Sequence, residues 1–124
     1  MAARILIIED NAINMELMVY LLGAFGHVPL GARSGAEGLT LARSELPDLI
    51  LCDLHLPGLD GRGVLAQLKG EAALRAIPVL AVTAQAMPGD REQLLAAGFD
   101  GYIGKPIEPE TFVGQIEQFL RAPT

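Results

Sequence analysis

Short apolar runs, several rich in β-branched residues, alternate with helix-spaced stretches from one end of the chain to the other, and most runs stop at a polar residue. A run that is apolar on both faces suits a strand buried between two layers, the pattern of parallel rather than half-exposed antiparallel sheets. Ile5 to Ile8 is the first such run, and it stops at Glu9 and Asp10. Met15, Met18, Val19, Leu22 and Phe25 then follow helical spacing over 12–24, with Gly26 as the stop signal. A weaker strand is expected up to Ala32, with His27 in the turn that leads into it. Ser34, with Glu37 three residues on, forms a capping box that opens a helix carrying Leu39 and Leu46.

The same unit then repeats. Pro47 closes that helix, and residues 48–53 read as a buried strand ending on Asp53. After a loop over 55–59, Asp60 caps a helix with Val64, Leu65 and Leu68 on one face and Gly70 at its end. Residues 77–82 form the next strand, with Pro78 tolerated near its start, and it finishes at Thr83. A helix capped by Asp90 and bearing Leu94 and Leu95 stops at Gly98, and a strand over 100–104 runs into Lys105 and Pro106. The last helix is expected to begin near Glu108, with an apolar stripe of Phe112, Val113, Ile116, Phe119 and Leu120.

Five strands alternating with helices through short connections predict an α/β fold, a doubly wound five-stranded parallel sheet with helices on both faces. The 124 residues suit one domain, and no repeat, low-complexity tract or change of composition marks a boundary. With 51% hydrophobic and 19% charged residues, the chain has the apolar content to build a core and is not a disordered segment. Nine Lys and Arg against 15 Asp and Glu leave a net charge of −6, and the cations are not clustered, which argues against nucleic acid as a direct partner. Cys52 is the single cysteine, so neither an internal disulfide nor a cysteine-based zinc module is possible, and it reads as core filler. Neither a signal-peptide core nor a run of ~20 apolar residues is present, so a cytoplasmic protein without membrane contact is expected.

In open α/β sheets the functional crevice lies beyond the carboxyl ends of the strands. Here that edge is expected to collect Glu9 and Asp10 from the first strand, Asp53 from the third, Thr83 from the fourth and Lys105 from the fifth. Three converging carboxylates repel one another unless a cation sits among them. An oxygen-only donor set favours Mg²⁺ or Mn²⁺ over zinc, and Mg²⁺ commonly binds through one or two carboxylates, waters and phosphate oxygens. A carboxylate can also accept a phosphoryl group, with Lys105 and the Thr83 hydroxyl placed to contact its oxygens. Any one of these residues alone is more simply a turn or cap residue, whereas polar groups of matching chemistry from four strands are not explained that way. The G-x-G-x-x-A run Gly61 to Ala66 has the form of a dinucleotide fingerprint, but it lies past Asp53 rather than in the turn leaving the first strand.

The pair Glu9-Asp10, the DLHLPGLDG segment around Asp53, the VTA stretch holding Thr83 and the pair Lys105-Pro106 stand in the order and at intervals that resemble the receiver domain of two-component response regulators. The resemblance covers essentially the whole chain, and the EDNAINMEL opening is most similar to receivers of hybrid kinases and single-domain regulators. It implies a flavodoxin-like sheet of strand order 2-1-3-4-5. It further implies Asp53 as phosphoacceptor, and Mg²⁺ held by Asp10, by Asp53, by the His55 backbone carbonyl and, through water, by Glu9. Thr83 and Lys105 would then read the phosphoryl group. The donor would be a sensor histidine kinase or a histidine phosphotransfer protein, and the output a surface of the last two helices and fifth strand that binds a downstream protein. Such a domain, a monomer or weak dimer, catalyses only its own phosphorylation and dephosphorylation. Residues 5 to about 120 are taken up by it, so no output domain is expected.

By the same resemblance Tyr102 is a switch residue that turns inward as the Thr83 hydroxyl moves toward phosphate; the plain alternative is a half-buried aromatic. His55 and Gln85 would tune hydrolysis at the mouth of the site, and the Lys105-Pro106 bond would be cis. Asn11 either caps the first helix or helps position the attack. Two further readings remain: a phosphatase-like enzyme with Asp53 as nucleophile, and a pseudo-receiver that binds proteins without phosphate.

Overall fold

A computed structural model describes residues 2–84 and 89–120. Along them the chain runs β1 (Arg4–Ile8), α1 (Ala12–Ala24), β2 (Val28–Ala32), α2 (Gly35–Glu45), β3 (Leu49–Asp53), α3 (Gly61–Gly70), β4 (Val79–Thr83), α4 (Asp90–Ala97), β5 (Gly101–Gly104) and α5 (Phe112–Glu117). The strands form one parallel sheet in the order β2-β1-β3-β4-β5. Alternate residues of each strand feed opposite faces. Leu6, Ile8, Ile50, Cys52 and Ala81 pack against Leu39, Val64, Leu65, Leu68 and Leu94, so α2, α3 and α4 cover one face. Ile5, Ile7, Leu51, Leu80 and Val82 pack against Met15, Met18, Leu22, Phe112 and Ile116, so α1 and α5 cover the other. Every residue of β3 and β4 is buried, which is why their sequences read as unbroken apolar runs. Among the described residues no helix is long and apolar enough to cross a membrane.

Local capping follows the sequence at most helix starts. The Asn11 side chain accepts the Asn14 N–H, Ser34 accepts that of Glu37, and Asp60 accepts that of Gly63. Asn11 is therefore the cap of α1. At α4 the expectation fails: Gly89, at φ 96°, occupies the N-cap position and Asp90 is the first helical residue. Glycine enters this left-handed region without a Cβ clash, so the chain turns into the helix one residue earlier.

The last helix also differs. Regular α-helix begins at Phe112, after a turn in which the Thr111 and Phe112 N–H groups both donate to the Glu108 carbonyl, and Phe119 and Leu120 lie beyond its end, half-buried. Phe25 is the C-cap of α1 and 60% exposed rather than part of its inner stripe, because the chain has already left helical geometry there. Leu46 caps α2 in a left-handed conformation and points outward, and Leu95 is likewise exposed. His27, expected in a turn, is buried: its Nδ1 accepts the Ala3 N–H at 3.1 Å and its Nε2 lies 2.9 Å from Glu117 Oε2.

Candidate functional site

The chain leaves β1 toward β2 on one side and returns to place β3 on the other, so the β1/β3 boundary is where the winding reverses and a crevice opens at the strands' carboxyl ends. β3 delivers Asp53 to that crevice, and Glu9 and Asp10 follow directly on β1. Asp53 pairs in register with Val82, so Thr83 lies one residue beyond it on β4, and Thr83 pairs with Gly104, so Lys105 follows on the next strand. The Lys105 N–H donates to the Thr83 carbonyl at 2.8 Å, holding the β4 and β5 ends together, and the Lys105-Pro106 bond is cis.

The five polar residues do converge. Lys105 Nζ donates to Asp53 Oδ2 at 3.0 Å and lies 3.2 Å from Glu9 Oε1, while the His55 N–H donates to Asp53 Oδ1 at 3.0 Å. Glu9, Asp53 and Thr83 are buried, Asp10 is exposed, and Lys105 is intermediate. Burial, reinforced by a hydrogen bond with Asp53, pushes the Glu9 carboxyl up to about 7. Burial acts on Asp53 in the same sense, but the His55 N–H, the Glu9 carboxyl and the Lys105 ammonium outweigh it and hold Asp53 below the usual carboxylate range. For Lys105 burial acts downward, and the hydrogen bond to Asp53 with the two carboxylate charges raises it above the ordinary lysine value. Asp53 is therefore an ionised carboxylate with a resident cation beside it, and Glu9 is its protonatable neighbour.

A divalent cation fits these donors. Glu9, Asp10 and Asp53 each offer a carboxylate oxygen, and the three lie within 4.8 Å of one another. Glu9 Oε1 is buried and accepts no well-directed hydrogen bond, which leaves a lone pair for a ligand to use. All three donors are hard oxygens, the chemistry Mg²⁺ takes.

The remaining site residues are placed less tightly. The His55 side chain is exposed at the mouth, with its main chain engaged on Asp53. Tyr102 is half-buried on β5, between cavities of about 310 and 330 Å³ that both border it. Gln85 lies outside the described residues. Gly61 serves packing rather than nucleotide binding: its N–H donates to the Leu54 carbonyl at 3.2 Å, and a Cβ there would sit 2.6 Å from the Asp53 carbonyl oxygen. Cys52 is fully buried and its thiol is pushed up to about 12 by desolvation, then by the nearby carboxylates, which keeps it unreactive.

Arg33 is the residue that sequence reasoning missed at this edge. It follows directly on β2, and its guanidinium donates to the Asp10 carbonyl at 3.2 Å. The signal was available, since the position just past a strand's carboxyl end singled out the other site residues.

Known proteins resemble this chain over nearly its whole length. A family model described as "Response regulator receiver domain" matches residues 5–117. The polar-differentiation response regulator DivK of Brucella ovis is 45% identical over 120 residues, covering 97% of this chain and 98% of the relative. Among solved structures, the receiver domain of a Pseudomonas aeruginosa sensor histidine kinase, with a magnesium ion coordinated in its active-site cleft, superposes with a TM-score of 0.86 at 29% identity, covering 97% and 98% of the two chains. The Vibrio cholerae chemotaxis response regulator CheY4 shares the fold at a TM-score of 0.90 and 23% identity, over 97% and 100% of the chains.

Proposed function

The chain belongs to the response regulator receiver domain family, and from that premise we propose that Asp53 accepts a phosphoryl group, with Mg²⁺ held by Glu9, Asp10 and Asp53 and by the His55 carbonyl. The observation that carries the assignment is the buried, ionised Asp53 carboxylate gripped by Lys105 at 3.0 Å and by the His55 N–H at 3.0 Å, beside two further carboxylates. An Asp53 oxygen forms the new O–P bond as the donor's P–N bond breaks. The bonding pair stays on the donor histidine, which leaves as neutral imidazole when its other ring nitrogen carries a proton. Bound Mg²⁺ neutralises charge on the carboxylates and phosphoryl oxygens. Lys105, already on Asp53, follows onto a phosphoryl oxygen, and the Thr83 hydroxyl, on the adjacent strand end, supplies a further hydrogen bond. The donor is a histidine kinase or histidine phosphotransfer protein.

Phosphorylation replaces a single negative charge with about −1.5 to −2. The proposed readout runs from Thr83 to Tyr102, whose ring has space beside it on the β5–α5 surface, and so to a protein partner on α4, β5 and α5. Incubation with Mg²⁺ and a small acyl phosphate should add one group of about 80 Da, seen by intact mass, and Asp53→Asn should abolish it. An unmodified wild-type protein, or a phosphorylated Asp53→Asn variant, would overturn the assignment.

A further inference from the structure

We propose that Arg33 is a steering residue for the phosphodonor, a fixed positive charge on the rim of the site that draws a dianionic phosphoryl group toward Asp53. The inference rests on Asp53 being the acceptor. Ala32 ends β2 with its carbonyl accepting the Glu9 N–H at 3.0 Å, which sets Arg33 directly beside the acidic turn. Glu37, the acid nearest in sequence, accepts the backbone N–H of Arg33, and its own N–H is taken by Ser34 Oγ at 3.1 Å. That capping box occupies the carboxylate on main chain, and the Arg33 guanidinium instead reaches across to the Asp10 carbonyl at 3.2 Å. Among the described residues no carboxylate lies within ion-pairing distance of it; Arg62, Arg75 and Arg91 also lack one, while Arg4, Arg43, Lys69 and Lys105 are paired, and what sets Arg33 apart is its bond to the acidic turn of the site.

The charge is therefore exposed, uncompensated and tethered to the turn that carries Asp10. It sits on the turn whose Asp10 carboxylate lies within 4.8 Å of Asp53, and the Debye length at physiological salt is about 8 Å, so its field reaches an anion approaching the site. A protein of net charge −6 otherwise repels such a donor at long range.

The test is the rate of phosphorylation by a small acyl phosphate at saturating Mg²⁺, as a function of ionic strength, for wild type and for Arg33→Lys, Arg33→Gln and Arg33→Glu. In each turnover the Asp53 O–P bond forms as the donor P–O bond breaks, and the acyl carboxylate leaves with the bonding pair. Mg²⁺ affinity of the unphosphorylated proteins is measured alongside by calorimetry. Arg33→Glu is expected to lower the second-order rate about tenfold at low salt, with the gap closing as salt rises, and Arg33→Gln to fall between. Arg33→Lys should stay within about twofold of wild type, because it keeps the charge. Mg²⁺ affinity of Arg33→Glu should equal or exceed that of wild type, since a repelling charge is removed. An unchanged rate in Arg33→Glu, a loss independent of salt, a lysine variant as slow as the glutamate one, or a collapse of Mg²⁺ affinity would each overturn steering. Failure of wild type to be phosphorylated would instead overturn the assignment of Asp53.

Discussion

Glu9 does not behave as an ordinary glutamate, because it is buried against two groups that want opposite things of it. Lys105 favours its charge, while burial and Asp53 favour its proton, and the proton prevails up to about pH 7. A carboxyl whose folded pKa exceeds its unfolded value stabilises the fold at low pH and loses that contribution as pH rises. For Glu9 the window runs from 4.5, its ordinary value, to about 7. Asp53 has the opposite sign, but its depressed pKa confines its effect to pH below its ordinary value of 3.8, and raised Lys105 acts only above 10.5. In chelator, stability should therefore fall by up to about 3 kcal/mol between pH 5 and pH 7.5, a slope that Glu9→Gln removes and excess Mg²⁺ flattens. Urea unfolding at the two pH values measures it. The position of Glu9 past a strand end was legible in the sequence; its protonation was not, since that depends on Asp53 and Lys105 arriving from strands distant in the chain.

At the scale of elements, the start of α3 is tied to the Asp53 end of β3 more closely than any capping rule requires. Gly61 follows the Asp60 cap, and its missing Cβ lets the helix sit against the β3 terminus. Gly61→Ala would place a carbon 2.6 Å from the Asp53 carbonyl oxygen and 2.8 Å from the Leu54 Cα, backbone atoms that cannot swing aside. The expected loss is about 1–3 kcal/mol in urea unfolding, with slower phosphorylation because the strand end that carries the proposed acceptor is displaced. Gly70→Ala, whose Cβ would meet nothing within 4 Å outside its own helix turn, is the control and should leave phosphorylation unchanged and stability unchanged or slightly raised. Capping by Ser34 and Asp60 could be read locally because the cap and its acceptor N–H are three residues apart. The starts of α4 and α5 could not, because they follow the backbone path of the preceding loop: a left-handed Gly89 in one case, a tight turn at Glu108 in the other.

At the scale of the molecule, four strand ends pool their side chains in one crevice, so a ligand bound there couples β1, β3, β4 and β5. A divalent cation that binds the folded chain alone should raise stability by RT ln(1 + [L]/Kd), about 1.4 kcal/mol at ten times Kd, or roughly 5 °C in the melting midpoint. Asp53→Asn should reduce this increment without removing the fold; an equal Mg²⁺ response in both proteins would place the cation elsewhere. The sequence by itself determined the doubly wound sheet and the gathering of Glu9, Asp10, Asp53, Thr83 and Lys105 at the carboxyl edge of the strands. Apolar periodicity, caps and strand ends are local properties, and the winding rules for parallel sheets then leave little freedom. Tertiary structure decided what no local pattern encodes: that Lys105 bridges Asp53 and Glu9, that burial raises the Glu9 carboxyl, that His27 is buried against Glu117, and that the Arg33 guanidinium bonds the Asp10 carbonyl. Each of these is a distance between side chains far apart along the chain, and such distances exist only once the sheet has closed its register.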